Sequence, residues 1–279
     1  MIAPLATAGP VVEIELQLLL EAVYRYSGYD FRDYTPAFVK RRVADRMRAE
    51  NVKTISALQD VVLHDGDALD RLVYGLSVTS NELFAEPEFF AEVRRTIVPM
   101  LRTVPFIRVW VVGCGTGEEA YSLAITLLEE ELYRRCKLYA TDVSGSAIAL
   151  AKEGRIRGDA LDGAFRRYRE AGGRHSLDEY IALHGEPPAF DRKLRNNLVF
   201  STHNLVSDGS FNEFHLIVCR NVMTQFNKTL EYRAHQIVFE SLARGGYLAL
   251  GPNENIRYAP HQRCYERASE TDQIYRRIR

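Results

Sequence analysis

The stretch Val109-Trp110-Val111-Val112-Gly113-Cys114-Gly115-Thr116-Gly117-Glu118-Glu119 limits the possible folds more than any other part of the chain. A short apolar, β-branched run passes through three alternating glycines into Ala120, Leu123, Ala124 and Leu127, which recur at helical spacing. This pattern predicts strand, tight turn and helix. Glycine lets the backbone take positive φ and leaves no side chain between it and a ligand, while a helix N-terminus offers unpaired N–H groups and partial positive charge. Such a corner suits a nucleotide-like cofactor.

Two features narrow the choice of cofactor. In Gly113-x-Gly115-x-Gly117 the third glycine comes one residue earlier than in a dinucleotide fingerprint, and Glu118 and Glu119 follow at once. These acids would repel a pyrophosphate and suit a cationic end, which points to S-adenosylmethionine with its ammonium and sulfonium. Further on, Lys137-Leu138-Tyr139-Ala140-Thr141-Asp142 predicts a second strand ending in an acid. Asp142 lies near the separation at which such folds place a carboxylate to accept the ribose hydroxyl protons. An α/β protein with a glycine turn and an unrelated aspartate would account for either signal alone; together they favour a nucleoside-bearing cofactor.

Composition supports a folded chain without naming a partner. The 279 residues are 46% hydrophobic and 26% charged, enough for one large domain or two smaller ones. A formal net charge of −1 gives no whole-molecule case for nucleic acid or an anionic membrane, so a charged partner must meet a local patch. Cys114, Cys136, Cys219 and Cys264 are far apart and show no C-x-x-C pairing. Neither a disulfide framework nor a metal site is expected, and a reducing cytoplasm fits best. Met1-Ile2-Ala3-Pro4 lacks a basic n-region and long apolar core, and no run approaches the ~18 apolar residues of a membrane span. A cytoplasmic protein without membrane insertion is expected.

Residues 11–83 read as a helical module. Leu16, Leu19, Leu20 and Val23 form one helix face ending near Ser27-Gly28, and Thr35-Pro36 starts a second helix. In that helix Val39, Val43 and Met47 make an apolar stripe, while Arg41 and Arg48 point away and Lys40, Arg42 and Arg46 flank them. Thr54 caps a third helix, and Leu69, Leu72, Val73 and Leu76 mark a fourth. From 84 to 279 strands alternate with helices, as in a parallel sheet covered on both faces. The alternation lapses at about 155–195, which reads as a small inserted subdomain. Gln273-Ile274-Tyr275 is expected as a last edge strand.

The helical module, Glu86-Pro87-Glu88-Phe89-Phe90, Gly113-Cys114-Gly115-Thr116-Gly117-Glu118-Glu119, Ala140-Thr141-Asp142 and Cys219-Arg220-Asn221-Val222 together resemble the CheR family. These are S-adenosylmethionine-dependent methyltransferases that esterify receptor glutamates in bacterial chemotaxis and related signalling. The resemblance runs in matching order from about Glu13 through nearly the whole chain. It implies an α/β fold: a Rossmann-like methyltransferase domain with a small inserted subdomain, preceded by an N-terminal helical bundle. It implies S-adenosyl-L-methionine as cofactor, with S-adenosyl-L-homocysteine as product or resting ligand. Residue by residue it implies Glu119 near the methionine ammonium, Asp142 on the ribose, and Asn204 and Leu205 near adenine. Arg220 and Asn221 follow the fourth strand, and Thr79, Asn81, Gly113, Gly115 and Gly117 complete the cofactor contacts. Blander roles are open: a turn for Asn204, core for Leu205, a surface ion pair for Arg220. The family's basic helix meets acidic receptor helices, a placement matched by Arg41, Arg42, Arg46 and Arg48; a solvated surface accounts for them equally.

The departures fall together. The family arginine after Phe84, beside the transferable methyl, is Ala85 here. The family tyrosine within Cys-Arg-Asn-Val-x-x-Tyr-Phe-Asp is Gln225, the aspartate is Asn227, and a cofactor-contacting threonine is Asn81. Arginine can fix a carboxylate through two parallel hydrogen bonds and alanine through none, a loss on the order of 2 to 4 kcal/mol in a catalytic site. Arg220 could substitute only if its side chain turns inward. Three readings are open: a methyltransferase with an altered acceptor pocket, an inactive signalling module that binds the cofactor or its product, and an enzyme using the cofactor on a non-glutamate acceptor or for other chemistry.

Overall fold

A computed structural model describes residues 9–77, 82–156, 158–183, 187–205 and 207–279. Four helices come first: α1 (Pro10–Ser27), α2 (Pro36–Ala49), α3 (Ile55–His64) and α4 (Gly66–Ser77). Their limits follow local chemistry. Gly28 takes φ 81° after α1 and its N–H returns to the Tyr24 carbonyl, Pro36 stands in the first turn of α2, and the Thr54 hydroxyl accepts the Ala57 N–H before α3. Leu19, Val23, Val43, Leu58, Val62 and Leu76 are fully buried in one cluster between these helices. Each such side chain contributes roughly 1.5–3 kcal/mol of burial, which holds the bundle together where short helices alone would be marginal.

The remainder is built on a sheet. After α5 (Pro87–Glu92), a π-helical turn (Val93–Ile97) and α6 (Val98–Leu101) come β1 (Ile107–Val112), α7 (Glu118–Glu129), β2 (Cys136–Asp142) and α8 (Gly145–Glu153). The next segment carries α9 (Ala164–Glu170), the two-stranded pair β3 (Ile181–Ala182) and β4 (Ala189–Phe190), and α10 (Arg192–Arg195). Then follow β5 (Leu198–Thr202), β6 (Phe214–Cys219), α11 (Lys228–Ser241), β7 (Leu242–Leu250), β8 (Tyr265–Arg267) and β9 (Ile274–Arg277). The sheet order is β5-β2-β1-β6-β7-β9-β8, parallel through β7, with β9 antiparallel to both its neighbours. Beyond Arg108 in β1 and His215 in β6 both strands read as unbroken apolar runs, because both faces are covered. The chain leaves β1 toward β2 and β5 on one side and resumes at β6 on the other, so the crevice at the carboxyl ends of β1 and β6 is the topological switch point.

One expectation needs correction. The strand at 274–277 is internal, paired with β7 on one side and β8 on the other, and the edge belongs to β8. At three residues, with only Tyr265 buried, β8 has too little alternation to be read from sequence. The segment at 155–195 is anchored through Glu129 at the end of α7. Its carboxylate accepts the hydroxyls of Tyr168 and Tyr180 and pairs with Arg94.

The helical module is fastened to the sheet unit at the switch point. Thr35 donates its N–H to the Gln225 carbonyl at 2.7 Å, and Asn227 donates its N–H to the Asp33 carbonyl at 2.8 Å. The Tyr34 and Phe226 rings meet edge to face at 5.1 Å. Asn227 also explains one departure from the family pattern: its Oδ1 accepts the Leu230 N–H to cap α11 while its Nδ2 donates to Asp33 Oδ1 at 2.8 Å. An aspartate would keep the cap and set a carboxylate against a carboxylate. Asn227→Asp is expected to lower stability by about 1–2 kcal/mol, and Asp33→Asn in the same chain to recover most of it, as read from denaturant unfolding midpoints.

Candidate functional site

The glycine turn is shaped by close approach. Gly113 has φ 65°, and a Cβ there would stand 2.6 Å from Val222 Cγ2, so the turn after β1 lies directly on the loop after β6. Gly117, at φ 101°, opens α7. Between them the Gly115 N–H donates to Asp142 Oδ2 at 3.0 Å. Asp142 ends β2, is almost fully buried, and accepts the Ser144 N–H on Oδ1 at 2.9 Å. Burial pushes its carboxyl up in spite of these donors. Asp142, Asn204, Leu205 and Gln225 line one narrow cleft with Tyr34 and Phe226. Tyr34 is a contribution of the helical module that sequence patterning did not reveal.

A second chamber, about 210 Å³, opens on the other side of Gly113 and includes Ala85, Glu86, Gly115, Glu119, Arg220 and Asn221 in its wall. Its chemistry is set by Arg220. Nη1 meets Glu119 Oε1 at 2.6 Å, Nη2 pairs with Glu86, and the guanidinium lies 4.0 Å from the Phe89 ring centroid. With its side chain only 3% exposed, Arg220 is held between two acids and a ring and is not free to turn toward an acceptor. Glu119 keeps Oε2 without a hydrogen bond among the described residues. Burial raises its pKa against the pull of Arg220. Glu82 and Glu118 also face this chamber, so acids outnumber the one cation in its wall.

Ala85 sits where the backbone is tightly constrained. Phe84 and Glu86, on either side, both take positive φ, 51° and 55°, which is costly for non-glycine residues and needs surrounding support. The Phe84 N–H donates to Ser122 Oγ at 3.0 Å, and Arg167 Nε donates to the Leu83 carbonyl at 2.8 Å. Glu86 is thereby aimed at Arg220 and Asn221, the latter donating from Nδ2 at 3.4 Å. Thr79 and Asn81 lie outside the described residues.

The loop after β6 is organised by Glu254, a residue that no motif or spacing singles out. It is buried, and its two oxygens accept four backbone N–H groups: Met223 at 2.7 Å and Thr224 at 3.1 Å on Oε1, Gly251 at 2.7 Å and Asn221 at 2.9 Å on Oε2. Asn221 can therefore hold φ 60°, and Gln225, which is buried, donates from Nε2 to the Asn221 carbonyl at 3.0 Å. A third cavity of about 350 Å³ lies between this loop and α2, lined by Ala37, Phe38, Arg41, Asn221, Thr224 and Gln225.

Of the four arginines assigned to the basic helix face, the structure brings Arg41 alone to these cavities. Arg46 pairs with Glu50 at 3.3 Å and Arg48 with Asp45, while Arg42 is partly buried and its pKa is lowered, first by desolvation. Among the described residues no group of three or more His, Cys, Asp or Glu side chains is placed to hold a metal, and no helix is long and apolar enough to cross a membrane.

Comparison with known proteins agrees with this geometry. Residues 79–272 match the CheR methyltransferase SAM-binding domain and residues 14–77 the CheR methyltransferase all-alpha domain. The chain is 40% identical over 265 residues to "Putative methyltransferase Cher3" of Pseudomonas putida, covering 95% of this chain and 97% of that one. It is 26% identical over 249 residues to the chemotaxis protein methyltransferase of Listeria monocytogenes, covering 88% and 92%. It is 25% identical over 234 residues to chemotaxis protein methyltransferase 1 of Pseudomonas aeruginosa, covering 80% and 83%. With both domain models matched in order along one chain, the protein belongs to the CheR family of S-adenosylmethionine-dependent methyltransferases.

Proposed function

We propose that this CheR-family protein methylates a side-chain carboxylate of a signalling protein, using an acceptor pocket altered at Asn81, Ala85 and Gln225. The observation that carries this reading is the convergence of the glycine turn, Asp142 and the Glu119–Arg220–Glu86 cluster on adjoining cavities at the switch point. The donor set fits the cofactor: a buried acid with spare acceptor capacity for ribose hydroxyls, and a chamber rich in carboxylates for a cationic end.

When bound, S-adenosylmethionine supplies a methyl group on a sulfonium and is released as S-adenosylhomocysteine. In this reading Asp142 holds the ribose, Asn204 and Leu205 flank the adenine, and Glu119 receives the ammonium on Oε2 while Arg220 fixes its other oxygen. Gly113, Gly115 and Gly117 admit the cofactor against bare backbone, the family resemblance adds Thr79, Asn81 and Asn221 as cofactor contacts, and Gln225 stands at the acceptor side. An acceptor carboxylate is already ionised at neutral pH, so no general base is required. The protein's task is orientation and charge placement. The partner proposed is a cytoplasmic receptor or signalling protein with acidic helices that meets α2 at Arg41, Arg42, Arg46 and Arg48. We divide the chain for this purpose into a docking module at 11–83 and a catalytic unit at 84–279, with the insertion at about 155–195.

A second reading is favoured by one observation: Ala85 offers no donor and Arg220 is locked between two acids. On that reading the chain binds cofactor or product as a non-catalytic signalling module, or acts on another acceptor. Isothermal titration with S-adenosylmethionine and S-adenosylhomocysteine should give binding to the native protein and none to Asp142→Ala; failure of both ligands to bind the native protein would remove the cofactor assignment. If positions 85 and 225 have switched glutamate methylation off, Ala85→Arg with Gln225→Tyr should create base-labile methyl ester on an acidic receptor helix where the native protein forms none. Equal ester yield from both proteins would instead support the first reading.

Acid should weaken cofactor binding early. Burial holds the carboxyls of Asp142 and Glu119 above their ordinary values. Their anionic forms are complete only above those raised values, and affinity should fall as pH drops through them, beginning above the usual carboxylate range. A titration series across pH should show this decline, and affinity that stays flat down to the ordinary aspartate range would contradict it.

A further inference from the structure

We infer that Arg41 receives the acceptor carboxylate, standing in from α2 for the guanidinium that position 85 lacks. This rests on the methyltransferase reading above and deepens it, since that reading gives Arg41 only a share in surface docking.

The argument begins with how the three cavities meet. Gly113 is common to the adenosine cleft and the acidic chamber, Asn221 to the acidic chamber and the α2 cavity, and Gln225 to the α2 cavity and the adenosine cleft. The α2 cavity therefore borders both halves of the cofactor site, which is where an acceptor has to enter. Its wall is chemically distinct from its neighbour's. The acidic chamber carries Glu82, Glu86, Glu118 and Glu119 against Arg220, whereas Arg41 is the one ionisable side chain among the six residues lining the α2 cavity. Charge is thus segregated, acids toward the cofactor's cationic end and one cation toward the acceptor. An anionic acceptor approaching the chamber without a compensating cation would be repelled by it.

Arg41 is also the arginine available for the task. Arg220 is clamped, and Arg46 and Arg48 are engaged with Glu50 and Asp45. Arg41 forms no ion pair among the described residues, and its guanidinium carbon lies 5.9 Å from the Phe38 ring centroid. Its position is fixed relative to the cavity wall because Thr35, which caps α2, donates its N–H to the carbonyl of Gln225. Five donors in a planar fork match a carboxylate, and the neighbouring Asn221, Thr224 and Gln225 offer neutral hydrogen-bonding groups.

The test uses the full-length protein loaded with S-adenosylhomocysteine. The probes are three fluorescein-labelled helical peptides of alanine and glutamine, otherwise uncharged, that differ only in a central Glu, Gln or Lys. Fluorescence anisotropy should show the Glu peptide binding about tenfold or more tightly than the other two. Arg41→Ala should bring the Glu and Gln peptides within about twofold of each other, and Arg41→Lys should keep part of the preference. Arg41→Ala with Ala85→Arg should restore it, an outcome that a merely structural role for Arg41 would not produce. Equal binding of Glu and Gln peptides to the native protein, a preference for Lys, or a preference for Glu that survives in Arg41→Ala would each overturn the inference. If S-adenosylhomocysteine binds and no peptide does, the inference falls and the cofactor assignment stands; if S-adenosylhomocysteine does not bind, both fall.

Discussion

The buried guanidinium of Arg220 is the point on which the site depends. It follows β6, yet its partners come from the start of α7 and from the strained linker before α5, so one side chain ties together three stretches of chain far apart in sequence. Withdrawing such a charge from water is expensive, and the cost is offset only when hydrogen-bonding geometry is nearly complete. Two carboxylates and the face of Phe89 supply that compensation here. The same completeness commits the residue. A guanidinium clamped between two acids and a ring keeps the chamber charged but is not free to turn toward an acceptor.

The departures from the family pattern gain physical sense when their neighbours are considered. Asn227 answers Asp33, which would oppose a carboxylate at that position. Gln225 spans a junction between two cavities, with its side-chain amide on the Asn221 carbonyl and its main-chain carbonyl on Thr35. Ala85 lies between two residues in left-handed conformation, where the linker is secured from α7 by Ser122 and from α9 by Arg167.

Local signals were legible in the sequence and distant ones were not. The glycine turn, the acid ending β2, the cap Thr54 and the proline opening α2 are each announced by residues next to one another in the chain, and the structure has each in its expected element. Glu254 serves backbone groups some thirty residues earlier, and Glu86 meets an arginine 134 residues later. No periodicity or spacing rule encodes such pairings. Tyr34 escaped notice for the same reason: it precedes a helix in one module and its ring packs against the other. The short strand β8 failed differently, being too brief for any alternation to declare it.

Tyr34 also carries a consequence for how the two modules communicate. Because its ring is part of the wall of the cleft beside Asp142, the helical bundle is a component of that cleft as well as its neighbour. A ligand that fills that cleft touches both modules at once and favours the arrangement in which they are docked. By thermodynamic reciprocity, whatever grips α2 from outside and favours that arrangement tightens a ligand of the cleft by the same factor. Occupancy of the cleft and engagement of the bundle are then two readings of a single equilibrium.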